Sequence, residues 1–430
     1  MAETTPSPIL STCKERKRFI LGIFSDFIDT LKVAGSNVRK FMFCVFLNGI
    51  IMSATQVMLG IHYKNLGMTE DVIGTLMALK TFGSAIGALV AVVIIQTFGS
   101  KRSLIGAFLV MAGTGFCYVN LTDSMLLMQA TSLIFGIAQV VFTVSQAPFY
   151  KDNSDDRTTV AIFSLSFVLG NLAMFTGSYI FGYLSDFFAA MGGELFGSRM
   201  TLNVGFSLML LAPLVISRID FGNDNMMAGR KLPKLSDYWN AMNHDSWTYL
   251  LKKALIGMGA GLVIPYFSVY IKYSLNVSDA VVGSIIAFSQ VGTVVGGLLI
   301  PTLSRKFGRV RMAIFCQLIS IPFLWSISMT QGVIMMAISF MCRNGFMNMT
   351  SPLLQTMEMD LVAPEHRTIM SSMATLADSL FRALGTQLGG ILMVRISYEF
   401  PYYITILTYL ASTFVIYWVF GRNKKYSELH

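Results

Sequence analysis

Four charged side chains stand inside apolar runs of the chain: Lys80, Arg343, Asp378 and Arg382. A charge at the centre of a membrane helix costs about 2.5–3.5 kcal/mol to insert, so it persists only with a partner or beside water. Asp378 and Arg382 are four residues apart, on one helical face with Ser371 and Thr375, and that spacing allows pairing within the helix. A structural ion pair and a proton-binding carboxylate are both open for Asp378. Lys80 shares a face with Gly83 and Gly87, where packing is its simplest role. Arg343 adjoins a polar stripe, Asn344, Asn348, Ser351 and Gln355, and an earlier helix carries a matching stripe of Ser132, Gly136, Gln139, Thr143 and Gln146. Polar groups face lipid only at a cost, so two such stripes suit either a central aqueous pathway or hydrogen bonds between helices of a closed bundle.

The elements that must hold these residues are membrane helices. Of the 430 residues 54% are hydrophobic and only 13% charged, well outside the usual composition of a soluble domain. Apolar stretches of roughly 20 residues, enough to cross ~30 Å of hydrocarbon, begin near Phe41, Val72, Leu104, Met125, Thr158, Thr201, Leu250, Ala280, Met312, Gln331, Thr368 and Pro401. The expected fold is an all-α integral membrane protein of twelve transmembrane helices. An even number of spans puts both termini on one side.

Charge distribution orients that bundle. Placing the termini in the cytoplasm leaves 25 Lys and Arg in the loops and tails of that side, against Lys64, Arg199, Lys272 and Arg395 on the other, as the positive-inside rule requires. The net charge of +9 is thereby explained without nucleic acid, and a multi-pass protein of the cytoplasmic (cell) membrane is expected. Residues 19–31 place their apolar side chains on one face, with Asp26, Asp29 and Lys32 turned away, as a helix lying in the membrane interface does. No cleavable signal is evident after the basic start.

An internal repeat organises the chain. The segment from Leu66 aligns without a gap on the segment from Leu275, an offset of 209, with Gly74/Gly283, Ala78/Ala287, Gly83/Gly292, Gly87/Gly296, Leu89/Leu298, Phe98/Phe307, Gly99/Gly308 and Arg102/Arg311 identical. The same offset carries Gly136 onto Gly345 and Gln146 onto Gln355. Two six-helix repeats follow. The expected division is residues 1–217, an interfacial helix and six-helix bundle; 218–249, a polar linker with a second interfacial helix; and 250–430, the second bundle. Small residues at four-residue spacing, Gly83 with Gly87 and Gly385 with Gly389, mark faces where backbones pack closely.

Twelve helices in two parallel repeats, a long middle loop and a short basic loop after the second helix of each half resemble the major facilitator superfamily. The likeness extends over nearly the whole chain. The family's G-x-x-x-D-R/K-x-G-R/K-R/K signature is matched by Arg305, Lys306, Gly308, Arg309 and Arg311, and more loosely by Gly99, Lys101 and Arg102, while its Asp position holds Gln96 and Arg305. The resemblance implies that these loops gate the inner side. It also implies a cavity lined by the first, fourth, seventh and tenth spans, which makes Asn48, Gln56, Gln139, Gln146, Tyr266, Arg343, Asn344, Asn348 and Gln355 the candidate lining. The implied activity is secondary transport of a small organic solute by alternating access, with proton-coupled export first, and proton-coupled uptake of an anionic metabolite or the flipping of a lipid or lysolipid as alternatives. Its partners are a small-molecule substrate, protons and the lipid bilayer, for a monomer without cofactor.

Chemistry of other kinds has little support. His62, His244, His366 and His430 are isolated, the five cysteines have no metal or redox spacing, and there is no H-E-x-x-H, G-x-S-x-G or phosphate loop. An enzyme and a metal site are therefore not expected. Three of the four buried charges are positive, so uncompensated cation near mid-membrane calls for a substrate carboxylate or phosphate, or for an acidic group elsewhere in the fold. Asp378, the sole carboxylate at mid-span, is the candidate for proton coupling.

Overall fold

The structure, a computed structural model, describes residues 35–154, 156–221, 242–329, 332–363 and 366–421. Both proposed interfacial helices lie outside the described residues. Among those described there is no strand, and helices make twelve passes in chain order. The first half comprises α1 (Ser36–Asn65), α2 (Glu70–Phe98), α3 (Ser100–Asn120), α4 (Met125–Asp152), α5 (Asp156–Gly192) and a sixth pass of α6 (Glu194–Met209) with α7 (Leu211–Ser217). The second half comprises α8 (His244–Val263) continued by α9 (Phe267–Leu275), α10 (Asp279–Phe307), α11 (Arg309–Ser328), α12 (Val333–Met349) continued by α13 (Ser351–Asp360), α14 (Arg367–Arg395) and α15 (Phe400–Ile416). Ten of these passes are long and apolar enough to cross a membrane. The other two are α12–α13, whose first helix is only 17 residues long and carries Arg343, and α14, which carries the Asp378–Arg382 pair.

The repeat holds to the residue. Shifting α2 by 209 positions gives the bounds of α10, and the next helices begin at Ser100 and Arg309, again 209 apart. Both turns depend on glycine: Gly99 sits at φ 81°, ψ 159° and Gly308 at φ 85°, ψ 148°, a region essentially closed to side chains with a Cβ. Each amide then closes its helix, Gly99 onto the carbonyl of Ile95 at 3.0 Å and Gly308 onto that of Ser304 at 2.9 Å.

Prolines interrupt two passes where the backbone must bend. Pro265 lies in the 3-10 turn Ile264–Tyr266 between α8 and α9, and Pro352 stands in the first turn of α13, just after α12 ends. Lacking an N–H, proline cannot continue the helical ladder. The seventh pass starts earlier than the apolar run near Leu250 suggests. Asn243 caps it, its side chain accepting from the amide of Ser246 at 2.8 Å, so the helix begins at His244.

Close backbone approach builds each bundle. A Cβ on Gly83 would stand 2.1 Å from the carbonyl oxygen of Leu133, and one on Gly292 2.1 Å from that of Met341, so the repeat-related pairs α2/α4 and α10/α12 meet at the same glycine. On α14, Gly385 and Gly389 press against the carbonyls of Met258 and Leu262 of α8. The halves meet through α2 against α14 and α5 against α10.

Candidate functional site

Five candidate residues from the sequence come together. Arg343, Asn348, Gln355, Asp378 and Arg382 line one cavity of about 230 Å³ within the second half, walled by α8, α11, α12, α13, α14 and α15. It exists because the small residues of α8 let α14 come close: a Cβ on Gly257 would meet the Asp378 carbonyl at 2.3 Å, and one on Gly261 that of Arg382 at 2.2 Å. That contact sets the charged turn of α14 beside Lys252, Ile256 and Ala260, which recur every fourth residue on α8 and face the same space.

The cavity's electrostatics are lopsided. Arg382 grips Asp378 with two nitrogens, Nε to Oδ2 at 3.1 Å and Nη2 to Oδ2 at 2.9 Å, and this pair remains a quarter to a third exposed. Lys253 pairs with Glu358 of α13 at 3.2 Å. Arg343 is 2% exposed and has no carboxylate within 4 Å among the described residues. Its guanidinium donates to Asn344 Oδ1 at 2.8 Å and to the Tyr409 hydroxyl at 3.0 Å, and lies over the Phe267 ring, while its Nε is buried without a hydrogen bond. Lys252, also 2% exposed, lies over the face of Tyr249, 5.3 Å from the ring centre, within electrostatic reach of Asp378 and Glu358.

Lys252, Lys253, Gln317 and Tyr409 were not among the residues expected from sequence. Both lysines read there as loop charge preceding the seventh span. The Asn243 cap that starts α8 eight residues before Lys252 is the sequence signal that places them inside the helix, roughly 12 Å along it.

Other expected residues go elsewhere. Gln139 and Gln146 sit half-buried on α4, and Asn48 and Gln56 half-buried on α1, none of them in the wall of this cavity. Asn344 reaches Ser289 Oγ at 2.8 Å and ties α12 to α10. Lys80 lies over Phe135, 4.8 Å from the ring centre, against the helix that its face of glycines packs upon. Tyr266 is fully buried, its hydroxyl donates to the Thr386 carbonyl at 2.5 Å, and it fills the space beside Gly74 and Gly390 where the two halves touch. The Pro265 break turns it towards that contact rather than towards the cavity.

In the basic loops Lys101 donates to the carbonyl of Ile219 at 3.1 Å and Arg309 pairs with Asp360 at 3.7 Å. Lys306 lies over Phe307, Arg311 is exposed, and Arg102 borders an apolar surface groove beside Phe98. The side chain of Arg305 is outside those described.

At the opposite end two carboxylates, Glu70 and Asp279, open α2 and α10 and are related by the 209-residue offset. Glu70 is held by Lys64 of its own half and by the hydroxyl of Tyr398 from the other. Asp279 is held by Lys272 of its own half at 2.9 Å and by Ser185 from the other at 2.7 Å. Asp186 of α5 also accepts the amides of Asp279 and Ala280, at 3.0 and 3.1 Å, capping α10 across the divide. Lys272 bridges to Glu194 as well. Sequence reading treated Lys64 and Lys272 as loop charge, yet they are the cationic halves of two pseudo-symmetric latches. Burial and the bond to Glu70 hold the Tyr398 hydroxyl above the usual tyrosine range.

A multi-pass helical membrane protein built from two repeats, with a charged cavity within one half and a polar seal between the halves, has the architecture of a solute transporter. Residues 253–430 match the family model of the Major Facilitator Superfamily. The fold is similar over 90% of this chain and 100% of the other to the crystal structure of the nucleoside transporter NupG, with a TM-score of 0.75 at 15% identity. A D-xylose-proton symporter is similar over 89% of this chain and 98% of its own, TM-score 0.69 at 13% identity. A Haemophilus influenzae protein named for metabolite transport is 32% identical over 101 residues, which is 22% of this chain and 24% of that relative's length. The family model thus covers the second half of the chain, and the solved structures share the fold of the whole.

Proposed function

We propose that the protein is a secondary transporter that moves a small organic solute across the cytoplasmic membrane by alternating access, coupled to protons. The observation that carries this is the charged cavity lying on the basic side of a sealed interface between the halves. With the basic end cytoplasmic, as the positive-inside rule places it, the arrangement is an inward-facing state. Opening to the outside requires the Glu70 and Asp279 latches to part while the halves rock about the cavity.

The Asp378–Arg382 pair supplies the coupling. A proton on Asp378 removes the charge that holds Arg382 and frees the guanidinium for an anionic solute, and by linkage the bound anion favours the proton equally. Mutual support of that sign is what symport needs, whereas antiport needs competition. The geometry therefore favours proton-coupled uptake of an anionic metabolite over the export first expected, and the likeness to a proton symporter supports the same coupling.

The test is transport by purified protein in liposomes with an imposed pH gradient, comparing wild type with Asp378→Asn. Gradient-driven accumulation should be lost in the variant while exchange across equal pH persists. Full gradient-driven transport by Asp378→Asn removes the coupling role. Orientation is checked by cysteine labelling: probes at Ser100 and Gly308 should react from the cytoplasmic side, and those at Gly67 and Asn276 from outside.

A further inference from the structure

We infer that the cavity of the second half is a binding site for a small organic dianion, a dicarboxylate or a phosphate monoester, held between Lys252 of α8 and Arg343 of α12. This deepens the transport reading and rests on it for the word substrate, though not for the binding itself. The cavity wall carries four cations, Lys252, Lys253, Arg343 and Arg382, and one carboxylate, Asp378. Glu358 answers Lys253 from behind the wall. Two carboxylates against four cations leave two positive charges, and they fall on the two most buried cations, each 2% exposed.

Those two are also the ones left incompletely bonded. Arg343 has a buried Nε without an acceptor, and its two protein acceptors are neutral oxygens, the Asn344 amide and the Tyr409 hydroxyl. Among the described residues Lys252 has an aromatic face and no hydrogen bond or ion pair, with Asp378 and Glu358 acting on it only at longer range. A buried charge without a counter-charge is costly in a fold that never meets one. Both cations border the same space, so one ligand with two anionic groups, or one doubly charged group, answers both. A guanidinium and an ammonium recognise carboxylate and phosphate oxygens by charge-assisted hydrogen bonds. Gln355, Asn348 and the Ser351 hydroxyl add neutral polar groups on the same wall, suited to the hydroxyls of a polar organic body. A neutral sugar or nucleoside would leave the two cations as they stand.

The experiment measures binding to the purified full-length chain by thermal shift and titration calorimetry. The probes are succinate, glycerol phosphate, the neutral solutes xylose and uridine, and nanodiscs of anionic or neutral phospholipid. Succinate, glycerol phosphate or both should raise the melting temperature, the arm that responds identifying the anion chemistry, and the neutral solutes should not. Lys252→Gln and Arg343→Gln should each weaken the responding anion by about tenfold or more, with Lys252→Arg restoring most of the affinity. Asp378→Asn should do the opposite and tighten it, because Arg382 loses its internal partner; a gain of affinity is not a consequence of misfolding. Equal response to neutral solutes, no response to either soluble anion, or a response confined to anionic lipid each overturns the inference. Counterflow in liposomes separates the two readings. Transport of a neutral solute untouched by Lys252→Gln keeps the transporter and removes the anion site; anion binding with no counterflow of any probe keeps the site and removes transport.

Discussion

The two ends of the molecule are built from the same repeat and do opposite things. At the end bearing Glu70 and Asp279, polar bonds run from one half to the other: Tyr398 to Glu70, Ser185 to Asp279, Asp186 to the start of α10, Lys272 to Glu194 and Tyr273 to Asn65. At the basic end the bonds described stay at home. Lys40 and Lys101 hold the end of the sixth pass within the first half, while Tyr249, Asn243 and Arg309 bind α13 and its flank within the second. The difference teaches which end the polar bonds tie shut, and so where the proposed gate stands. An interface with buried, mutually satisfied charges is closed, and one whose charges are satisfied within each half can separate without leaving any of them bare.

That contrast can be broken by experiment, starting with the buried latch. Lys272→Ala strips Asp279 of its ammonium partner, and leaving a buried carboxylate unpaired costs about 3–5 kcal/mol. In a background lacking the native cysteines, Thr386→Cys at the seal should then react with an external thiol reagent more than about a hundredfold faster, with the size-exclusion profile unchanged. An unchanged rate would mean that the latch does not hold the outer gate.

Backbone strain at the basic turns ranks next. Gly308→Ala and Gly99→Ala force a Cβ into a region reserved for glycine, a cost of about 1–3 kcal/mol each, and both should lower the thermal midpoint by similar amounts. A loss at one turn alone would show that the repeat is matched in shape but not in energy. Tyr398→Phe removes one bond to the Glu70 carboxylate, about 1 kcal/mol, and should raise seal labelling roughly fivefold. The smallest effect belongs to Arg309→Gln. Its pair with Asp360 is about one-third exposed on both sides, so about 0.5 kcal/mol or less is at stake and labelling of the seal should stay as it is.

Legibility in the sequence followed the range of the interaction. Gly99 and Gly308 were readable because a tight turn is a local demand, and the 209-residue offset because two copies of one unit keep their spacing. Asp378 and Arg382 were readable as a pair because four residues make one helical turn. Gln139 and Gln146 passed every local test that Asn348 and Gln355 passed, yet only the second stripe borders the charged cavity. Helical spacing says which side chains share a face and not what that face meets. Lys252 was hidden by a boundary: six residues of polar helix, begun by the Asn243 cap, looked like loop.

The amino-acid sequence by itself determined the membrane-spanning helices, the repeat and the mid-span charges, because hydropathy, helical periodicity and glycine's backbone freedom act over a few neighbouring residues. Only the tertiary structure decided that Lys252 and Arg343, 91 residues apart in the chain, share one cavity, that Tyr266 packs where the halves touch, and that Lys64 and Lys272 pair with Glu70 and Asp279. Those outcomes depend on glycine faces letting α8 meet α14 and α5 meet α10 at contact distance, and a charge's partner is set by that distance in space, which spacing along the chain does not contain.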